Sequence, residues 1–200
     1  MNRKTIAVDI DGVLADWVGT CVPILDNILQ TNVSLKSNDA FSLHTAFGVS
    51  KKRMHKAIDD LYEIITVKDL KSVVGSQEAI ECLSKDFNII AITARPKKLH
   101  SLTEEWIKEN YKNEITVMLG RAQGNSFGAG LHLDAKIEIC KNEGVVCLVE
   151  DNPCEILALL KTQTEPICLK CPWNGSIANY PKVPRGDWNF LTKYILEKYK

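Results

Sequence analysis

The stretch Ile6-Ala-Val-Asp-Ile-Asp-Gly-Val-Leu-Ala-Asp-Trp17 decides how the rest of the chain is read. Its start, Thr5–Val8, is apolar on both faces and reads as a strand buried inside a parallel sheet. That strand then ends on two acids one residue apart, Asp9 and Asp11, followed by Gly12. Residues i and i+2 of an extended chain share a face, so both carboxylates point the same way. A buried strand gains nothing structural from two such charges.

Working outward, Asn88–Ile92, Ile115–Leu119, Val145–Val149 and Ile167–Leu169 have the same short, Ile- and Val-rich character. Helical patterns lie between them. Ser101-Leu-Thr-Glu104 reads as a capping box opening the stretch that carries Trp106 and Ile107. Ala135–Asn142 reads as a helix stopped at Gly144, and Asn152-Pro153 as an N-cap with proline at the first helical position. Asp187 is placed to cap a terminal helix. Strands alternating with helices predict an α/β chain with a Rossmann-like three-layer core and a parallel sheet. From Trp17 to about Gly75 there are helical patterns and no strand alternation. A loop of that length does not suit a compact domain, so a small helical insert is expected. The division is residues 1–16 and 75–200 for the core and 17–74 for the insert, a helical cap.

The 200 residues carry 25 Lys plus Arg against 25 Asp plus Glu, and 45% are hydrophobic. That buries a core for one domain, and the zero net charge disfavours a nucleic-acid partner, which demands a basic face. No segment has the roughly 18 apolar residues of a membrane span, and the N-terminus does not read as a signal peptide, so no membrane partner is expected. The odd count of seven cysteines, scattered through apolar segments, reads as buried thiols in a reducing cytoplasm. Cys168 and Cys171 form a lone CxxC, weak as a zinc signal without a second pair.

In open parallel sheets ligands bind beyond the carboxyl ends of the strands. Asp9 and Asp11 follow the first strand, Thr93-Ala94-Arg95 the second, and Glu150-Asp151-Asn152 the fourth. Asp, Asn and Thr also terminate strands and cap helices, and Asn152 fits that role. Two acidic pairs plus a threonine on one rim ask for more. Four carboxylates repel unless a cation sits among them, and hard oxygen donors without histidine point to Mg2+. A metal, a hydroxyl and a lysine suit phosphoryl transfer, and Lys136 is the candidate lysine.

Asp9-Ile-Asp11-Gly-Val, the Thr93 strand end, Lys136 and Val-Glu150-Asp151 together resemble the four motifs of the haloacid dehalogenase (HAD) superfamily of phosphohydrolases, in order and over nearly the whole chain. DIDGVLADW, ITARP, LVEDNP and the later Pro172-Trp-Asn174 most resemble the 5'(3')-deoxyribonucleotidase-like branch and its uncharacterised relatives. The resemblance implies a Mg2+-dependent phosphomonoester hydrolase with Asp9 as nucleophile and Asp11 as proton donor and acceptor. It implies a metal held by the Asp9 carboxylate, the Asp11 backbone carbonyl and an acid from Glu150-Asp151. Asp151 is favoured as the direct ligand, with Glu150 behind it or acting through water. Thr93 and Lys136 would grip the phosphate, helped by backbone amides near Gly12 and Ala94. The acid at position 11 argues for a phosphatase over a dehalogenase, which has no alkoxide to protonate. A helical cap closing over the site and selecting substrate is implied as well.

Other residues are candidates with an ordinary alternative beside them. Trp17 is a candidate to stack on a base or sugar, or packs. Arg95 and Arg121 are candidates to read a phosphate or base, or form surface ion pairs. His132, Asn174 and Arg185 are candidates to line the rim. The resemblance, and no base-reading pattern, implies a nucleoside 5'-monophosphate, a pyrimidine deoxynucleotide included, as substrate. The alternatives are another small phosphomonoester, a nucleic-acid 3'-phosphate, or a catalytically silent binding module on the same fold.

Overall fold

The structure, a computed structural model, describes residues 3–33, 43–112, 115–120 and 129–200, with side chains of 129–133 excepted. Its strands are β1 (Thr5–Asp9), β2 (Asn88–Thr93), β3 (Thr116–Leu119), β4 (Val145–Glu150), β5 (Glu165–Leu169) and β6 (Arg185–Gly186). They form one parallel sheet in the order β3-β2-β1-β4-β5-β6, so β1 sits centrally between β2 and β4. The α/β class with a parallel sheet is thus the observed one. Strands β1, β2 and β4 each run to a site residue: Asp9, Thr93 and Glu150. The two-residue β6 was not among the expected strands, because Arg185-Gly186 has no apolar run to mark it.

The helices are α1 (Trp17–Leu29), α2 (Leu43–Ala46), α3 (Lys51–Ile64), α4 (Ser76–Leu83), α5 (His100–Asn110), α6 (Ala129–Asn142), α7 (Pro153–Leu159) and α8 (Trp188–Tyr199), joined by short 3-10 turns at Val67–Asp69, Lys97–Leu99 and Pro172–Asn179. Alternation along β1 divides the core. Ile6 and Val8 face the layer holding Ile80, Trp106, Ile107, Trp188 and Leu191 from α4, α5 and α8. Ala7 faces the opposite layer with Ile90, Ile92, Cys140 and Leu159, where α6 and α7 pack. All of these residues are buried, and each large side chain taken from water contributes roughly 1.5–3 kcal/mol.

Several punctuation marks act as read. Asn152 Oδ1 accepts from the Cys154 amide at 2.9 Å with Pro153 next, Asp187 accepts from the Phe190 amide at 2.9 Å, and Gly144 follows α6 at φ +61°. The capping box at Ser101 does not form. The 3-10 turn at Lys97–Leu99 leads directly into α5, so the helix starts one residue early and its N-cap, Leu99, makes no side-chain bond. Ser101 lies inside the first turn and is exposed.

Between β1 and β2 the described elements are α1–α4, with no strand among them. Asp16 caps α1 by accepting from the Gly19 amide at 2.8 Å, and Ser50 caps α3 through the Arg53 amide at 3.2 Å. The chain leaving β1 and the chain returning to α4 run side by side. The Asp16 amide donates to Lys71 O and the Val73 amide to Leu14 O, both at 2.8 Å. Three buried aromatic donors hold this neck: Trp188 Nε1 to Val13 O at 3.2 Å, Tyr111 OH to Leu14 O at 3.0 Å, and Trp106 Nε1 to Leu70 O at 2.8 Å. The C-terminal aromatic Trp188 is therefore core, as its helical spacing suggests.

Candidate active site

At the carboxyl end of the sheet the backbone must turn sharply after Asp9 and Asp11. Gly12 makes the turn at φ +92°, which a side-chain-bearing residue rarely adopts. A Cβ at Gly12 would also lie 2.2 Å from Asp151 Oδ2. Its missing side chain therefore lets the β4 acid sit against the β1 loop.

Lys136 is brought in by α6, its Nζ 2.6 Å from Asp9 Oδ1, 2.9 Å from Glu150 Oε2 and 2.6 Å from Glu155 Oε2. Only 3% of Lys136 is exposed. Its stem passes Gly120, where a Cβ would come within 2.7 Å of Lys136 Cγ. Glu150 is fully engaged, since its other oxygen, Oε1, accepts from the amides of Asp151 at 2.9 Å and Asn152 at 3.0 Å. Asp151 accepts from Trp173 Nε1 at 2.8 Å. Thr93, also buried, accepts from the Arg95 amide at 3.1 Å, and Ala94 lies between them in the turn.

Burial governs the charges here. It pushes the Asp9 carboxyl up to about 6, although Lys136 pulls the other way. Burial, reinforced by Glu150, raises Glu155 to about 7. Asp151 is held well above the usual carboxylate range by burial, then by Glu150 and Asp9. Burial alone would lower Lys136, but Asp9, Glu150 and Glu155 together raise it well above its ordinary value, so it stays charged. Asp9, Glu150 and Asp151 offer oxygens that all lie within 4.8 Å of one another, the one such group of potential metal ligands among the described residues. An all-oxygen set, buried and short of cations, fits a hard divalent ion such as Mg2+.

The expected residues do not all take the expected places. Arg95 is neither a surface residue nor free to meet a ligand with its whole fork. It is 3% exposed and grips Asp11, with NH2 2.6 Å from Oδ1 and Nε 2.9 Å from Oδ2, while NH1 donates to Thr103 Oγ1 at 3.1 Å. Trp17 donates to Tyr62 OH at 3.1 Å and packs between α1 and α3. Asn174 is fully buried, donating to Asp151 O and Leu169 O and accepting from Arg185, so this pair braces the loop and does not face the rim. Arg121 and the His132 side chain lie outside the described residues. Cys168 and Cys171 point to different carbonyls, Leu169 O at 3.6 Å and Gly12 O at 4.0 Å, and burial drives both thiols up, Cys168 to about 12. They are neutral packing groups.

Glu155, Thr103 and Gly120 carry no mark in the sequence reading, and Trp173 entered it only within Pro172-Trp-Asn174, without a role. The first of these had a signal available: Glu155 stands in the first turn of α7, just past the acidic pair that ends β4.

The central β1 ends on Asp9 with Asp11 just beyond it, between β2 ending on Thr93 and β4 ending on Glu150 with Asp151 next, so these groups share one end of the sheet. No family model matches the chain. A Halalkalibacterium halodurans protein named "Putative nucleotidase" is 23% identical over 175 residues, covering 86% of this chain and 83% of that one. Among solved structures, a "predicted phosphatase" from Clostridium acetobutylicum superposes with a TM-score of 0.70 at 14% identity, over 98% of this chain and 100% of that one. A haloacid dehalogenase-like family hydrolase from Streptococcus pneumoniae gives 0.68 at 14% identity, over 96% and 98%. The fold of this chain is therefore the haloacid dehalogenase-type fold.

Proposed function

We propose that the chain is a phosphomonoester hydrolase that forms an aspartyl-phosphate on Asp9, with a nucleoside monophosphate as the leading substrate. The observation that carries the reading is the buried Lys136–Asp9 pair at 2.6 Å, set beside Thr93 and the β4 acids on one rim. Lys136 holds one Asp9 oxygen, which orients the other toward phosphorus and leaves its lone pair facing the substrate. Asp9 attacks, the ester oxygen departs with a proton from Asp11, and hydrolysis is divided into two easier steps. Water then attacks the phosphorylated Asp9 while Asp11 takes the proton. Thr93 and the amides at Ala94 and Gly12 bind phosphate oxygens. Asp9, the Asp11 carbonyl and Asp151 would hold Mg2+, which supplies charge stabilisation for the phosphoryl oxygens. Asp151 is assigned the contact because Glu150 is committed to Lys136 and two amides. Residues 17–74 act in this reading as a cap over the rim, and the chain works in the cytoplasm on a small phosphomonoester.

The nucleotide preference draws on the likeness to the Halalkalibacterium protein. Magnesium-dependent release of p-nitrophenolate from p-nitrophenyl phosphate tests the activity. A following panel of nucleotides, sugar phosphates and other esters, ranked by kcat/KM, tests the substrate. No turnover by folded, metal-loaded protein would remove the hydrolase reading. A panel led by a sugar phosphate would remove the nucleotidase one.

A further inference from the structure

Arg95 is the second buried cation of the site, and neither motif spacing nor the reaction outlined above gives it a task. Its surroundings do. β1 and β2 are adjacent and in register at Asp9 and Ile92, so the turn after Thr93 stands beside the loop after Asp9. From that turn Arg95 reaches both Asp11 oxygens in the forked geometry that fixes a carboxylate plane as well as its position. Thr103 pins the other side of the guanidinium, and its own hydroxyl donates to Leu99 O at 2.8 Å. The Arg95 side chain is 2% exposed, against 31% for Asp11, so the arginine is the fixed member and the acid the accessible one. The Arg95 amide bonds Thr93 Oγ1 as well, which ties the Asp11 clamp to the turn assigned to the phosphate.

We propose that Arg95 is a positioning residue that sets Asp11 for the second half of the reaction, the attack of water on phosphorylated Asp9. This rests on the hydrolase reading above. A carboxylate held by a guanidinium through both oxygens keeps its accessible lone pairs for a proton arriving from solvent, here from water. In that step the water oxygen bonds phosphorus and one water proton passes to Asp11. The bond from phosphorus to the Asp9 oxygen breaks, its electron pair returning to the Asp9 carboxylate. The proton gained by Asp11 serves the next ester oxygen. Lysine at position 95 keeps the charge but loses the fork, so Asp11 is free to rotate.

Rapid mixing with p-nitrophenyl phosphate separates the two halves, because p-nitrophenolate leaves without needing a proton. In Arg95→Lys and Arg95→Gln the initial burst of p-nitrophenolate is expected to persist, reaching up to about one equivalent per active site. The slower steady-state rate should fall by roughly tenfold to a hundredfold, at or below the smallest contribution of a positioned base because Asp11 itself is kept. Thr103→Val should slow the same phase less, by freeing one side of the guanidinium. If burst and steady-state rates fall together, or neither changes, the inference is overturned and the hydrolase reading stands. If the Arg95 variants fail to fold, Thr103→Val decides by the same two rates. A folded wild type that releases no p-nitrophenolate with Mg2+ overturns the hydrolase reading itself and the inference with it.

Discussion

Two lysine–carboxylate clusters sit at opposite ends of the same sheet. At the amino end of β5, Glu165 receives Lys198 Nζ at 2.7 Å, Tyr194 OH at 2.9 Å and Tyr199 OH. One acid there has three donors, and although burial pushes its carboxyl up, those hydrogen bonds bring it below the ordinary value. At the carboxyl end the balance of charge is inverted: one cation, Lys136, is shared by Asp9, Glu150 and Glu155, whose other donors are neutral amides, and Asp151 adds another acid beside them. Asp9 and Glu155 are driven up, not down. A balanced cluster contributes to stability. A cluster with surplus buried acid costs stability, and in the proposed reaction a cation and a substrate would complete it.

The most forceful way to break this contrast is Asp9→Asn. In the proposed reaction it removes the nucleophile, and turnover should fall by at least about a thousandfold. The fold should survive, with a metal-free Tm equal to or above that of the wild type, because a buried surplus carboxyl has gone. A clear drop in Tm would mean that Asp9 belongs to a stabilising pair and that the contrast is false.

Next in size is the response to Mg2+ and pH. A Mg2+ concentration a hundredfold above its Kd should stabilise the chain by about 2.7 kcal/mol, or roughly 5–10 °C in Tm. Without metal, the folded pKa values of about 6 for Asp9 and about 7 for Glu155 exceed those of the unfolded chain, near 4. The native state then binds more protons between about pH 4 and 7, so these groups make stability fall as pH rises across that window. Glu165 has the opposite sign, its contribution being lost as pH falls below the usual carboxylate range. Thermal melts from pH 3 to 8, with and without Mg2+, read both limbs. A metal-free protein whose stability climbs steadily to pH 8 would contradict the surplus at the active end.

The smallest effect is expected from Glu165→Ala. Lys198 is about half exposed, so solvent screens that pair and about 1 kcal/mol is at stake, near 2–4 °C in Tm. Turnover should not change, since the residue lies at the other end of the sheet. A large change in kcat would show that the two clusters are coupled.

What could be read from the sequence follows from what a local pattern encodes. Apolar runs marked β1 to β5, and the acids and threonine at the ends of β1, β2 and β4 marked a rim. Asn152-Pro153 and Asp187 gave their caps away because capping is decided within three or four residues. Lys136 stood out only through the company of the other motifs. Its partner Glu155 and its neighbour Gly120 did not, because the need for each arises where α6 meets α7 and β2 in space. Arg95 was placed beside the rim, but its commitment to Asp11, 84 residues away, comes from strand adjacency. Asn174 and Arg185 stood as rim candidates in a polar loop, and only the burial of Asn174 and its bond from the half-buried Arg185 of β6 show them to be braces.

The neck between residues 14–16 and 71–73 has a consequence for how the insert could be redesigned. Because the two segments are already bonded to each other, everything between Trp17 and Leu70 is an excursion whose ends meet at the sheet. Loop closure grows only slowly more costly with length, so a change of length alone costs the excursion little, but Leu25, Met54 and Leu61 share one core with Ile6 and Val8 and any exchange must keep that apolar face. The neck is a clasp: it fixes where the insert leaves and rejoins the sheet, beside the loop that carries Asp11.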